Sequence, residues 1–236
     1  MALNFQVLQT RTLTALAFVI VMLTGLCYNG WSFLFLFTVI HFGCWFELVQ
    51  LMKKIDRQKY IANSFLGLLY ISLPMIMMID LGFDASLFAK DQGLDNLHTL
   101  QYSAVIPCGI IFSIWVNDTM AYLVGSLIGK TPFSKISPKK TWEGTAGGAI
   151  LCVVAIGYFS GRITAAKVLS TTHWVIIAAI CAVAGTGGDL LESKLKRMAD
   201  VKDSGRIMPG HGGFLDRFDS LLIAVPFVWL YLKLLA

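Results

Sequence analysis

Charged residues are scarce in this chain of 236 residues: 14% are Asp, Glu, Lys or Arg, where a soluble domain carries about 25%. With 56% hydrophobic residues and a mean hydropathy of +0.70, a water-soluble globule is excluded. Paired cysteines are lacking as well. Cys27, Cys44, Cys108, Cys152 and Cys181 stand singly in or beside apolar stretches with no CxxC spacing, which argues against a thiolate metal site and for small buried apolar residues. No second His or Cys lies at zinc spacing from His211. A clear internal repeat is also missing, which weighs against an inverted-repeat transporter.

What is abundant is apolar sequence in long runs. A spanning helix needs about 20 mostly apolar residues, and seven such runs lie near 12–28, 31–52, 61–79, 102–128, 144–160, 173–190 and 218–236. They are continuous rather than alternating, so helices are expected instead of barrel strands. The fold expected is all-α: a polytopic integral membrane protein with about seven transmembrane helices. The first run follows Arg11 as a signal peptide would, but no small-residue cleavage pattern comes after it, and it reads as a retained helix.

The basic residues set an orientation. With a cytoplasmic N-terminus, fifteen of the 19 Lys and Arg fall inside, and Lys90, Arg162, Lys167 and Lys233 are left outside. The N-terminus is therefore expected in and the C-terminus out. The net charge of +5 is then a topological signal and not a sign of nucleic-acid binding.

Polar residues are unevenly spread. Residues 1–100 form an N-terminal helical region whose polar marks are His41, Glu47 and an acid-rich stretch from Leu81 to Gln101 bearing Asp84, Asp91 and Asp95. Residues 101–236 form the expected catalytic region, with cytoplasmic loops at 129–143 and 191–217. Asp118 lies inside an apolar run, where a carboxylate is expensive unless it faces a cavity, an ion or a partner; a buried Asp paired with a nearby Lys is the alternative. The string Gly125-Ser126-Leu127-Ile128-Gly129-Lys130-Thr131 is not a P-loop: its glycines are one residue too close, and it closes an apolar helix instead of following a strand. Gly125 and Gly129, like Gly144 and Gly148, have small-xxx-small spacing suited to close helix packing. Lys139 and Lys140, beside Ser137 and Thr141 and ahead of a helix beginning near Glu143, suit an anion site, and equally a membrane-surface anchor.

The densest chemistry runs from Gly185 to Asp219. On a helix, Asp189, Glu192, Ser193 and Lys196 share one face; Arg197, Lys202, Asp203, Gly205, His211, Gly212 and Gly213 follow, then Asp216, Arg217 and Asp219 at the entry to the last run. Carboxylates crowded among cations make sense if hard divalent metal ions sit between the acids and polyphosphate oxygens sit between metals and cations. Glycines 212 and 213 would let backbone N–H groups approach a phosphate. A solvated loop laced with pairs such as Glu192 and Lys196 is the plainer alternative.

The order Ser193, Lys196-Arg197, Lys202-Asp203, Gly205, Pro209, His211-Gly212-Gly213-Phe214 and Asp216-Arg217-Phe218-Asp219 resembles the signature of the phosphatidate cytidylyltransferases, or CDP-diacylglycerol synthases. Asp118, Ala121-Tyr122 and the segment Ser137 to Gly144 resemble that family too, so the likeness covers roughly residues 115–236. Met208 departs from the usual Leu, Ile or Phe, and the part before Asp118 is short for the family.

The resemblance implies a metal-dependent nucleotidyltransferase in phospholipid biosynthesis. The phosphate of phosphatidic acid would attack the α-phosphorus of CTP, giving CDP-diacylglycerol and pyrophosphate. It implies Mg²⁺, one ion or two, held by Asp189 and Asp216 with Asp219 and Asp203 as further ligands or as orienters of the cluster. Lys139, Lys140, Arg197, Lys202 and Arg217 would hold phosphates, Ser137 and Ser193 would donate hydrogen bonds, Asp118, Gly212 and Gly213 would line the substrate site, and His211 would be a phosphate donor. It further implies a bacterial inner membrane, an active site facing the cytoplasm, no nucleic-acid partner and a homodimer. Two competing readings are a multi-pass transporter of an anionic solute, whose site would lie near the bilayer midplane, and a CDP-alcohol phosphotransferase, whose DGxxAR…GxxxDxxxD arrangement is absent.

Overall fold

The computed structural model describes residues 5–83, 102–207 and 212–235. Each of the seven apolar runs is helical there: α1 (Phe5–Cys27), α2 (Gly30–Ile55), α3 (Tyr60–Phe83), α4 (Val105–Ile128), α5 (Trp142–Ser160), α6 (Thr171–Met198) and α7 (Leu215–Leu235). No strand is formed among the described residues, where β-structure is limited to isolated bridge positions such as Pro132 with Thr141. Five helices, α2 to α6, are long and apolar enough to cross a membrane by length and composition. The apolar part of α1, Thr12–Cys27, is shorter, and α7 carries Asp216, Arg217 and Asp219 in its first turns. The acid-rich stretch with Asp84, Asp91 and Asp95, and also Lys90, lies outside the described residues.

Local chemistry sets the helix starts. Asn29 accepts the Ser32 N–H at 2.8 Å while the Ser32 hydroxyl accepts the Asn29 N–H at 3.1 Å, a reciprocal cap that turns the chain sharply from α1 into α2. Thr141 caps α5 through the Gly144 N–H, and Ser170 caps α6 through the His173 N–H. In α3 the backbone widens to a π-helical turn over Leu68–Ser72, and the Ser72 hydroxyl meets both His41 Nε2 and Trp45 Nε1 of α2 at 2.9 Å.

The helices are apolar on both faces, as membrane spans must be. On α2, Phe33, Phe37, Ile40, Cys44 and Leu48 are buried in the bundle, whereas Trp31, Phe35, Phe42 and Phe46 are exposed on its outer side. In lipid the hydrophobic effect does not drive helices together, so close backbone approach must. Gly144 and Gly148 serve that purpose: a Cβ at either would collide with Ala121 or Gly125 of α4. Gly188 of α6 does the same against the Asp219 carbonyl of α7. At its neighbour Gly187, by contrast, a Cβ would meet nothing within 4 Å. Gly188→Ala is therefore expected to destabilise by about 2–3 kcal/mol through forced separation of α6 and α7, and Gly187→Ala to be neutral or stabilising by up to about 1 kcal/mol. Thermal unfolding of the two variants in detergent checks the contrast.

Alternation of the helices gathers the Lys53–Lys59 turn, the α4–α5 loop and the α6–α7 loop at one end of the bundle, and leaves Arg162, Lys167 and Lys233 at the other. At that second end Lys233 Nζ pairs with Asp80 at 2.9 Å and Trp229 Nε1 donates to the same carboxylate at 2.7 Å, tying α7 to α3.

Candidate active site

At the cation-rich end a cavity of about 450 Å³ opens between α4, the α4–α5 loop, α5, α6 and α7. Its wall includes Asn117, Asp118, Lys139, Lys140, Asp189, Asp216, Arg217 and Asp219. Asp118 lies about 15 Å along α4 from Ile128 at the α-helical rise per residue, so the cavity reaches down between the helices and is not confined to their ends.

The two lysines reach this cavity because the α4–α5 loop is a stiff hairpin. Trp142 N–H donates to Thr131 O at 3.0 Å and Phe133 N–H to Lys140 O at 2.7 Å. The Phe133 and Trp142 rings pack with centroids 4.4 Å apart. Glu143 closes the loop base by accepting the Lys130 and Thr131 N–H groups at 3.2 Å and the Thr131 hydroxyl at 2.8 Å. Lys140 N–H donates to Ser137 O at 3.1 Å, so residues 137–140 form the turn that delivers Lys139 and Lys140. Lys140 Nζ forms an ion pair with Asp189.

Below Lys140 three carboxylates converge. Oxygens of Asp189, Glu192 and Asp219 all lie within 4.8 Å of one another. Glu192 is fully buried; it meets the Lys196 ammonium, and beyond that ion pair neither of its oxygens has a hydrogen-bond partner among the described residues. Ser193 Oγ donates to Asp189 at 3.2 Å, and the Ser220 N–H donates to Asp219 at 2.6 Å. Three acids this close repel one another, and a buried acid with unfilled lone pairs is costly. The donor set, all hard oxygen, fits a divalent cation.

Asp216 has a different environment. Its Oδ1 accepts from Lys196 Nζ at 2.6 Å, and its Oδ2 accepts from the Ser204 N–H, the Ser204 hydroxyl and the Gly213 N–H, each at 2.8 Å. Gly212 takes the left-handed backbone, with φ of 83°, that brings this loop back onto Asp216; a Cβ there would also strike the Asp216 carboxylate. A second acid enters from the far half of the chain. Glu47 of α2, 2% exposed, accepts the Phe214 and Leu215 N–H groups at 2.9 Å, and its Oε2 lies 2.7 Å from the Ser204 hydroxyl, whose one proton it shares with Asp216.

Of the residues expected from the sequence, Asp118, Lys139, Lys140, Asp189, Asp216, Arg217 and Asp219 come together around the cavity, and Ser193 touches Asp189. Several others do not. Asp203 is exposed and outside the acidic cluster, so the fourth carboxylate expected there is missing; Glu192 joins Asp189 and Asp219 instead of Asp203 or Asp216. Lys202 is exposed and off the cavity wall, and Arg197 turns its Nη1 to Val201 O at 3.2 Å. Ser137 shapes the turn without lining the cavity. Gly213 gives its N–H to Asp216 and not to the cavity, because the loop must satisfy that carboxylate first. His211 lies outside the described residues.

Glu192, Lys196, Ser204 and Glu47 were not among the expected site residues. The helical spacing already put Glu192 and Lys196 on the Asp189 face; for Glu47 the one signal was a carboxylate inside an apolar run.

The sequence profile of the cytidylyltransferase family matches residues 58–235. A phosphatidate cytidylyltransferase of Bacillus subtilis (strain 168) is 46% identical over 122 residues, which is 51% of this chain and 45% of that protein. One from Staphylococcus aureus (strain COL) is 34% identical over 206 residues, 79% of this chain and 70% of that protein. Phosphatidate cytidylyltransferase 5, chloroplastic, of Arabidopsis thaliana is 40% identical over 127 residues, 54% of this chain and 30% of that protein. The match thus spans less than half of the Bacillus and Arabidopsis relatives. On the profile match across most of its length, this chain belongs to the cytidylyltransferase family.

Proposed function

We propose that this chain transfers the cytidylyl group of CTP to phosphatidic acid, forming CDP-diacylglycerol and pyrophosphate for phospholipid synthesis. The observation that carries this is a cavity lined by Lys140, Arg217, Asp189 and Asp219 at one end of an apolar bundle, with the buried Glu192 clustered behind the two aspartates. A lipid phosphate at headgroup depth and a water-borne nucleotide can meet in such a place and in few others.

A phosphate oxygen of phosphatidic acid attacks the α-phosphorus of CTP, a new P–O bond forms, and the bond to the β-phosphate breaks to release pyrophosphate. No general base is needed, since a phosphate monoester is already anionic near pH 7. Asp189, Glu192 and Asp219 are the residues that would hold Mg²⁺, with Asp216 fixing Lys196 beside them. Bound Mg²⁺ supplies charge neutralisation for the α-phosphate and the leaving pyrophosphate. Lys140 and Arg217 hold phosphate oxygens, Lys139 attracts the polyanion at the cavity mouth, Ser193 orients Asp189, and Asp118 accepts hydrogen bonds from the nucleotide. With α1 and α7 as spans the chain crosses the membrane seven times, N-terminus and active site on the cytoplasmic side of a bacterial inner membrane, where positive residues collect.

Purified protein given CTP, phosphatidic acid and Mg²⁺ in mixed micelles is expected to produce CDP-diacylglycerol. No product from intact protein with accessible lipid would overturn the proposal. Lys140→Gln removes the Asp189 ion-pair partner and a phosphate-binding charge; turnover is expected to fall about 100-fold with a raised KM for CTP, read from initial rates across CTP concentration.

A further inference from the structure

Glu47 lies outside the profile match and more than 150 positions before the loop it touches, yet it is the end of a continuous polar chain that runs to the acidic cluster. Glu47 Oε2 meets Ser204 Oγ at 2.7 Å, Ser204 Oγ meets Asp216 Oδ2 at 2.8 Å, Asp216 Oδ1 meets Lys196 Nζ at 2.6 Å, and Lys196 pairs with Glu192. Through its other contacts Glu47 caps the start of α7, accepting the Phe214 N–H on Oε1 and the Leu215 N–H on Oε2. These are donors a helix start leaves without intrahelical partners. Gly205 and Gly213 press so close on the Glu47 carboxylate that a Cβ at either would collide with it. The loop is moulded around this side chain.

We propose that Glu47 is a positioning residue for the cytidylyl transfer: it sets the depth and rotation of α7 and, through Ser204 and Asp216, holds Lys196 and Glu192 where the acidic cluster needs them. The inference rests on the function proposed above and extends the site into α2, a helix otherwise given over to packing. Each oxygen of Glu47 faces a backbone N–H that cannot accept, Phe214 on Oε1 and Leu215 on Oε2, and the Ser204 hydroxyl, with its one proton, bridges Glu47 and Asp216. Acceptance at both oxygens is therefore required. An amide would present an N–H group to donors at one of its two positions.

The test compares wild type, Glu47→Gln, Ser204→Ala and the double variant, each purified in detergent and checked for a monodisperse peak. Initial rates are measured against Mg²⁺, CTP and phosphatidic acid, and Mn²⁺ binding without substrates is measured by spin-resonance titration. Glu47→Gln is expected to lower kcat by about 10–100-fold and to weaken Mn²⁺ binding and raise the Mg²⁺ half-saturation about fivefold or more, with the KM for phosphatidic acid within about twofold. The double variant is expected to match Glu47→Gln rather than multiply the two losses, because both act on one chain of contacts. Unchanged kcat and metal affinity in Glu47→Gln, with wild type active, would overturn the positioning role and leave the proposed function standing. If Glu47→Gln does not fold, Ser204→Ala decides: it removes one hydroxyl, and wild-type metal affinity in that variant overturns the inference. An inactive wild type would sink the proposed function, and Mn²⁺ affinity equal in wild type and Glu47→Gln would then overturn the inference as well.

Discussion

Asp219→Asn is expected to lower turnover by about 100–1,000-fold and, with metal chelated, to leave the protein as stable or raise its melting temperature by about 2–4 °C. The opposite signs follow from the cluster. Asp219 is buried, has Asp189 and Glu192 oxygens within 4.8 Å, and accepts the Ser220 N–H at 2.6 Å. Without a cation, an amide there relieves the crowding of three acids and can donate to a neighbouring carboxylate. With a cation, the same change deletes a ligand. Thermal unfolding with chelator and CDP-diacylglycerol formation with Mg²⁺ read the two effects separately. Turnover within tenfold of wild type, or a lower melting temperature in chelator, would remove Asp219 from the ligand set.

Asp216→Asn is expected to act in the other direction on stability. Both its oxygens accept from donors: Lys196 on one, and Ser204 N–H, Ser204 hydroxyl and Gly213 N–H on the other. Whichever way the amide turns, its NH₂ faces donors, and Lys196 keeps Glu192 as its remaining carboxylate. Breaking one partner of a buried ion pair costs about 3–5 kcal/mol, so a melting temperature lower by roughly 6–20 °C is expected, with and without Mg²⁺, and turnover should be lost with it. A variant that unfolds like wild type and differs only in its Mg²⁺ requirement would make Asp216 a direct ligand, as the sequence pattern alone implied.

The pair illustrates how far sequence pattern reaches. Among the described residues the seven apolar runs fall on helices, five of them long and apolar enough to cross a membrane, because a span must satisfy its own backbone hydrogen bonds, and that demand acts residue by residue along the chain. The gathering of Lys139, Lys140, Asp118 and Asp189 was foreseeable in outline, since cations sort to one side and a carboxylate inside a span needs a reason. Which acid does what was not. Asp216 and Asp219 are neighbours on one helix, yet one is spent on Lys196 and a loop and the other faces Asp189 and Glu192. That division depends on the rotation of α7. Glu47 sets the rotation from a distance that local spacing cannot register. Lys202, Asp203 and Arg197 belong to the same motif by order but point to solvent or to the α6 terminus in this structure. A motif records which residues recur together, and adjacency in sequence does not distribute them among cavity, loop and surface.

The most direct measurement is the fate of labelled phosphorus. Purified protein in phosphatidic-acid-containing nanodiscs with Mg²⁺ is given CTP labelled at the α-phosphate or at the γ-phosphate, and the lipid and aqueous phases are counted. Cytidylyl transfer predicts label in the lipid from α-labelled CTP alone, with one pyrophosphate released for each lipid formed. No lipid-phase label from α-labelled CTP, or label arriving from the γ-position, would contradict it.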